Sequence, residues 1–190
     1  MIERRAILLA GIGFGLGVTL EARGGGPEGA ALQSEAASAR PKEGDLLIKA
    51  GDASSTPLTP ADIPLGAQPT VAWAMDAGDR TVRNGSRLNQ LLLLRFDPQA
   101  LAPDTRPRAA EGVVAYTSIC PHTGCDVDEW RPDPQQVECA CHFSVFDPKD
   151  GGKVVDGPAP RGLPALPLKV VDGRLVVAQP FVTPVGFEKG

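Results

Sequence analysis

Two short boxes hold every cysteine and histidine of this 190-residue chain: CPHTGC at 120–125 and CACH at 139–142. Thiolate sulfur and imidazole nitrogen are transition-metal ligands, so the fold has to bring two separate loops face to face. Each box offers one thiolate and one imidazole from a tight turn, as Cys120-x-His122 and Cys139-x-x-His142, with sixteen residues between His122 and Cys139. A site closed by four such ligands fits tetrahedral zinc as well as iron. Cys125 and Cys141 remain, one in each box and next to the ligands.

The rest of the chain must be a scaffold for these loops. Its length and 42% hydrophobic content suit one domain with a proper core plus tails. The 22 glycines and 19 prolines favour short strands joined by many turns, which predicts an all-β domain. Apolar segments place strands from Leu46, over Thr70–Met75, Gln90–Phe96, Gly112–Ile119, Leu166–Val171 and Arg174–Ala178. Asp172-Gly173 between the last two is a hairpin turn signal. Residues 98–110, with three prolines and no alternation, form an excursion between strands. Residues 22–43, rich in Gly, Ala, Ser and charge, read as a flexible linker, and 181–190 as a C-terminal tail. A formal charge of -4, with no basic cluster beyond Arg4 and Arg5, leaves no footprint for nucleic acid. A basic protein partner fits that balance. Neither GxGxxG nor GxxxxGK[ST] is present, so nucleotide-binding readings fall away.

The N-terminus carries an address. Arg4-Arg5 precedes an uncharged run from Ala6 to Leu20, closed by Glu21. As a helix that run spans only about 22 Å, against a hydrocarbon core of roughly 30 Å. Residues 1–21 resemble a twin-arginine export signal or signal anchor. The expectation is a periplasmic protein, either soluble or held to the inner membrane through residues 6–20.

The arrangement CPHTGC with CACHFSVFD resembles the Rieske iron–sulfur proteins, in particular the disulfide-containing kind of cytochrome bc and related complexes; it matches the family pattern CxHxGC…CxCHxS at every fixed position. The resemblance implies a Rieske fold over residues 44–180, an antiparallel β base with a small inserted cluster-binding subdomain at about 118–160. It implies that Cys120 and Cys139 bind one iron of a 2Fe-2S cluster, that His122 and His142 bind the other, and that Cys125 and Cys141 form a disulfide. Two imidazoles in place of two thiolates raise the potential of such a cluster to about -150 to +300 mV. GPAPRGLPALPL at 157–168 looks like the family's proline loop, a third lid over the cluster, and ADIPLGAQPTVAW at 61–73 resembles the entry to its base sheet. Ser144 matches the residue whose hydroxyl donates to a cluster sulfur. Three positions depart from the respiratory pattern: Thr123 for an apolar Leu, Phe143 for Gly, and Phe146 for a Tyr that supplies a second donor. They point away from an ordinary quinol-oxidising role and towards a lower potential.

By this reading the chain is an exported one-electron carrier with no catalytic site of its own. It would serve as the iron–sulfur subunit of a larger redox complex, either a molybdenum oxidoreductase of the arsenite-oxidase type or a membrane cytochrome complex. The alternative is the Rieske subunit of an orthodox quinol–cytochrome c reductase, with quinol or cytochrome c as partners. A non-redox structural zinc domain is the alternative outside electron transfer. A catalytic ring-hydroxylating oxygenase component needs further histidines for a mononuclear iron, and this chain has none left. Trp73 and Trp130 read as packing residues, Tyr116 as core, DVDEW at 126–130 as a solvated loop, and the segment from Asp147 as a turn.

Overall fold

A computed structural model describes residues 27–187. The expected export signal, at 1–21, lies outside the described residues. Among the described residues ten strands follow one α-helix: α1 Pro27–Ser38, β1 Leu46–Lys49, β2 Thr70–Met75, β3 Leu91–Arg95, β4 Val113–Thr117, β5 Glu129–Arg131, β6 Gln136–Cys139, β7 Ser144–Asp147, β8 Lys153–Asp156, β9 Leu168–Val171 and β10 Arg174–Val177. The base is an antiparallel sheet in the order β4-β3-β2-β1-β10-β9, and the segment between β4 and β9 forms a second sheet, β5-β6-β7-β8. Just before β9 the chain pairs back onto β4, with Thr117 N–H donating to the Pro164 carbonyl (3.0 Å) and Leu166 N–H to Ala115 (2.9 Å), so the base sheet curls towards closure. The architecture is the all-β base with an inserted subdomain that the sequence predicts.

One strand explains how the two layers are joined. In β3, Leu91 and Leu93 point into the base core with Leu47, Ala72, Ala115 and Leu175. Leu92 and Leu94 point the other way, into a second core with Val114, Tyr116, Cys120, Val137, Cys139 and Phe146. A strand covered on both faces needs a continuous apolar run and not an alternation, hence LLLL. Each such leucine contributes about 1.5–3 kcal/mol by burial, so the inserted sheet is welded to the base. Tyr116 belongs to this core as expected; its hydroxyl donates to the Pro148 carbonyl (2.8 Å), and burial pushes its pKa well above the usual phenol value. Trp130 packs against the same core, while Trp73 is half-buried on the base. The β9–β10 turn has Asp172 and Gly173 both at positive φ (49° and 74°), the conformation of a tight hairpin.

Two expectations need correction. Residues 27–38 form a helix and not a flexible linker: PEGAALQSEAAS has no apolar face, but it is rich in good helix formers and opens with Pro. What holds its end is tertiary. Arg83 donates to the Ala36 carbonyl (3.3 Å), and Asn89 Nδ2 to Ser38 (3.3 Å) and Ala39 (2.8 Å). Arg83 is itself buried against Asp45, and its Nη2 also reaches Asp76 (3.0 Å), which Lys42 meets at 2.7 Å. The second correction is that DVDEW is only partly a solvated loop. Glu129 and Trp130 enter β5, which pairs with β6, and the Arg131 guanidinium meets Glu138 across that pair. DPKDGG is a turn, as expected.

Candidate metal centre

Both boxes are hairpin loops of the insertion. Box one leaves β4 and closes on itself, with Cys120 N–H donating to the Cys125 carbonyl (2.8 Å) and Gly124 N–H to Cys120 (3.0 Å). Box two is the turn between β6 and β7: Cys139 ends one strand opposite Ser144, which begins the other, and Phe143 N–H donates to the Cys139 carbonyl (2.9 Å). The turn places Phe143 at φ 61°, a left-handed conformation that costs a non-glycine residue about 1–2 kcal/mol. Its ring is 66% exposed beside His142, so that cost is not offset by burial. The loop after β8 lies directly on box two. A Cβ on Gly157 would stand 2.5 Å from the Ser144 Cα, and the Ala159 N–H donates to Ser144 Oγ (3.1 Å).

These three loops converge on one donor set. Cys125 and Cys141 are joined as a disulfide, with Cα atoms 6.4 Å apart. Cys120 and Cys139 stay free thiols, each 1% exposed. His122 is half-buried and His142 exposed; their ring centroids lie 4.6 Å apart with the planes at 88°. His122 Nδ1 is buried with no hydrogen-bond partner among the described residues, an arrangement that is costly unless a ligand uses the lone pair. The Cys139 sulfur also lies within 4.8 Å of both disulfide sulfurs, but those have no thiolate to give. What is left is two thiols inside and two imidazoles outside, and this S2N2 set fits a cluster with cysteines on one iron and histidines on the other.

Burial pushes the Cys120 thiol pKa up, and the adjacent Cys139 thiol acts the same way; the His122 backbone N–H and the Ser144 hydroxyl oppose it. Ser144 Oγ accepts from Ala159, which leaves its own proton free for another acceptor. Sequence reasoning picked out Ser144 but not the Ala159 amide that orients it. Phe146 is fully buried one pleat further along β7, in the core that contains both thiols. Beside His122 a cleft of about 320 Å³ is lined by Pro121, Pro158, Pro160 and Arg161.

An all-β domain that presents two disulfide-braced hairpins with this donor set is a mixed Cys/His metal-cluster protein. The family model for the Rieske [2Fe-2S] domain matches residues 75–167. The cytochrome bc1 complex Rieske iron–sulfur subunit of Streptomyces lividans is 33% identical over 150 residues, covering 76% of this chain and 85% of that protein. The chain thus belongs to the Rieske iron–sulfur family, and its cofactor is a Rieske 2Fe-2S cluster. A putative respiratory nitrate reductase Rieske subunit of Haloferax mediterranei is 43% identical over 76 residues, 40% of this chain and 34% of that one. Several other relatives are longer: the chain covers 34% of the corresponding bc1 subunit of Mycobacterium bovis, at 32% identity over 145 residues. Among solved structures, the soluble domain of Rieske protein II from Sulfolobus acidocaldarius aligns with a TM-score of 0.41 and 24% identity, over 53% of this chain and 66% of that one.

Proposed function

We propose that Cys120 and Cys139 hold one iron of the cluster and His122 and His142 the other, and that the protein is an exported one-electron carrier within a larger redox complex. The observation that carries this reading is the polarity of the donor set, with both thiols buried and the imidazoles on the outer side. When bound, the cluster supplies a one-electron couple. The chain supplies everything else. The disulfide fixes the two hairpins against each other. The Ser144 hydroxyl and the His122 backbone N–H oppose the burial that pushes the Cys120 thiol pKa up, and so favour negative charge on that sulfur. Pro121, Pro158 and Pro160 wall one side of His122 and limit water. The His122 and His142 edges are left as the route to a partner.

That partner is a larger redox subunit or a cytochrome. The Streptomyces relative, similar over most of its length, favours a membrane cytochrome complex; the Haloferax relative favours an oxidoreductase of another kind. Thr123, Phe143 and Phe146 argue for a partner other than that of an ordinary quinol–cytochrome c reductase, which is the second reading. Arg4, Arg5 and the apolar run behind them support twin-arginine export to the periplasmic side. Among the described residues no helix is long and apolar enough to cross a membrane.

The test is metal and sulfide analysis of the purified chain with electron paramagnetic resonance. Two irons and two labile sulfides with a rhombic signal are expected, and Cys120→Ser, His122→Ala, Cys139→Ser and His142→Ala should each abolish that signal. A normal cluster in any of the four removes that residue from the ligand set. Purification from the native membrane, with partners identified by mass, separates the two kinds of complex.

A further inference from the structure

The chain does not trail away after β10. Ala178 N–H donates to the Pro167 carbonyl (2.8 Å), Phe181 packs on the base core, and Val182 N–H donates to Ala165 (3.0 Å). The segment is then fastened from the proline loop: Arg161 Nη2 donates to the carbonyls of Pro184 (2.9 Å) and Gly186 (2.7 Å). Beyond that clasp, Phe187 lies across box one. A Cβ on Gly124 would stand 2.9 and 3.1 Å from its ring, so the ring covers the Gly124 Cα, which has φ +82°. The carbonyl of the same Gly124 is taken by Arg87 Nη1 (2.7 Å), whose Nη2 binds Asp126 (2.8 Å). Arg87 belongs to the 3-10 turn Arg87–Asn89 of the base. One residue of box one, Gly124, is therefore gripped three ways: its N–H by its own loop, its carbonyl by Arg87, and its Cα by Phe187.

We propose that residues 178–187 are a strap clasped by Arg161, and that Arg161 and Arg87 are positioning residues that fix box one and with it the orientation of His122. The inference rests on His122 being a ligand, as proposed above. Gly124 sits two residues from His122 and one from Cys125, so a slack box one would let the imidazole turn, and groups that orient a metal ligand tune the metal it holds. Both Arg161 bonds leave one nitrogen, Nη2, and the planar guanidinium holds its two N–H groups in a fixed direction, which a freely rotating ammonium does not.

The experiment follows amide hydrogen exchange of the full holoprotein at Cys120 and Gly124, both hydrogen-bonded within box one, together with midpoint potential and g-values. Arg161→Ala should speed exchange at these two amides about tenfold, the scale of a lost charge-assisted hydrogen bond; Phe187→Ala, which breaks no hydrogen bond but bares Gly124, should speed exchange at the same two amides, and both should shift potential and g-values in a common direction. Exchange in β2 and β3 should not change. The double variant should be no worse than either single one, because both release the same strap, and Arg161→Lys should recover part of the protection. Unchanged exchange and potential in both single variants, additive effects in the double, or faster exchange throughout the base in both overturns the proposal. A wild-type chain without iron would instead sink the ligand assignment and leave the exchange test standing, whereas a normal cluster with unmoved exchange sinks the strap alone.

Discussion

Removing the hydroxyl of Ser144 probes two things that one oxygen does. Ser144 is fully buried; it accepts from the Ala159 N–H, and its hydroxyl favours negative charge on the Cys120 sulfur. In Ser144→Ala the Ala159 amide loses its acceptor, and leaving such a donor unpaired costs about 1–3 kcal/mol. At about 2–4 °C per kcal/mol for a chain of this size, melting should fall by roughly 2–12 °C. The second effect is on potential. A donor to sulfur favours the more negative, reduced state by a net amount of about 0.5–1.5 kcal/mol, and about 59 mV corresponds to a tenfold change for one electron. The midpoint should drop by roughly 20–65 mV. Protein-film voltammetry and a thermal melt of the same sample read both. A melt that falls with an unmoved potential would mean that the hydroxyl braces the proline loop but does not reach the sulfur, and the electronic half of the reasoning would be wrong.

Phe146→Tyr should move the potential the other way, upwards by a similar amount, with voltammetry as the check; an unchanged value means that the ring edge at 146 points away from the cluster sulfurs. Cys125→Ser or Cys141→Ser opens a loop closed over a sequence separation of 16 residues, which should cost about 3 kcal/mol of stability in denaturant melts, while iron analysis still finds a cluster. Asp45→Ala leaves the buried Arg83 guanidinium with only Asp76 and the Ala36 carbonyl and should cost about 3 kcal/mol, the lower end for a broken buried pair, with faster amide exchange over Ala37–Ala39. Asp76 accepts first from Lys42 and then from the Gly78 N–H, which hold its carboxyl at about 2 against an ordinary 3.8. Its folded-state pKa is the lower one, so its contribution is complete above about 4 and is lost as pH falls towards about 2; acid titration of Asp76→Asn should lack that component.

The chemistry of the site was legible because it is local. All six Cys and His side chains lie in two boxes, and the spacing within each box is that of a tight turn. The base strands were legible for a similar reason: β2 runs over Thr70–Met75 as expected, and the LLLL of β3 is a run that only a doubly covered strand or a buried helix tolerates. The inserted sheet was not. β5 and β8 are three or four residues long and largely exposed, so they show no alternation, and their strand character comes from pairing with β6 and β7. Helix α1 was missed because its stability comes from Arg83 and Asn89, some fifty residues away. The brace on box one was equally hidden, since nothing in the spelling of Arg87 or Arg161 says that their guanidiniums meet Gly124 or Gly186.

The strand order of the base has a consequence for the timing of folding. β1 lies between β2 and β10, so one of the first strands to leave the ribosome waits for nearly the last. The β1–β4 meander can form as it emerges, but the free side of Leu46–Lys49 remains an open edge, able to pair with a stranger, until Val176 arrives opposite Leu46. Box one and box two are both synthesised inside that interval. The two hairpins are therefore complete before the platform beneath them is closed. A slow final phase, set by docking of the β9–β10 hairpin, is the kinetic signature to expect.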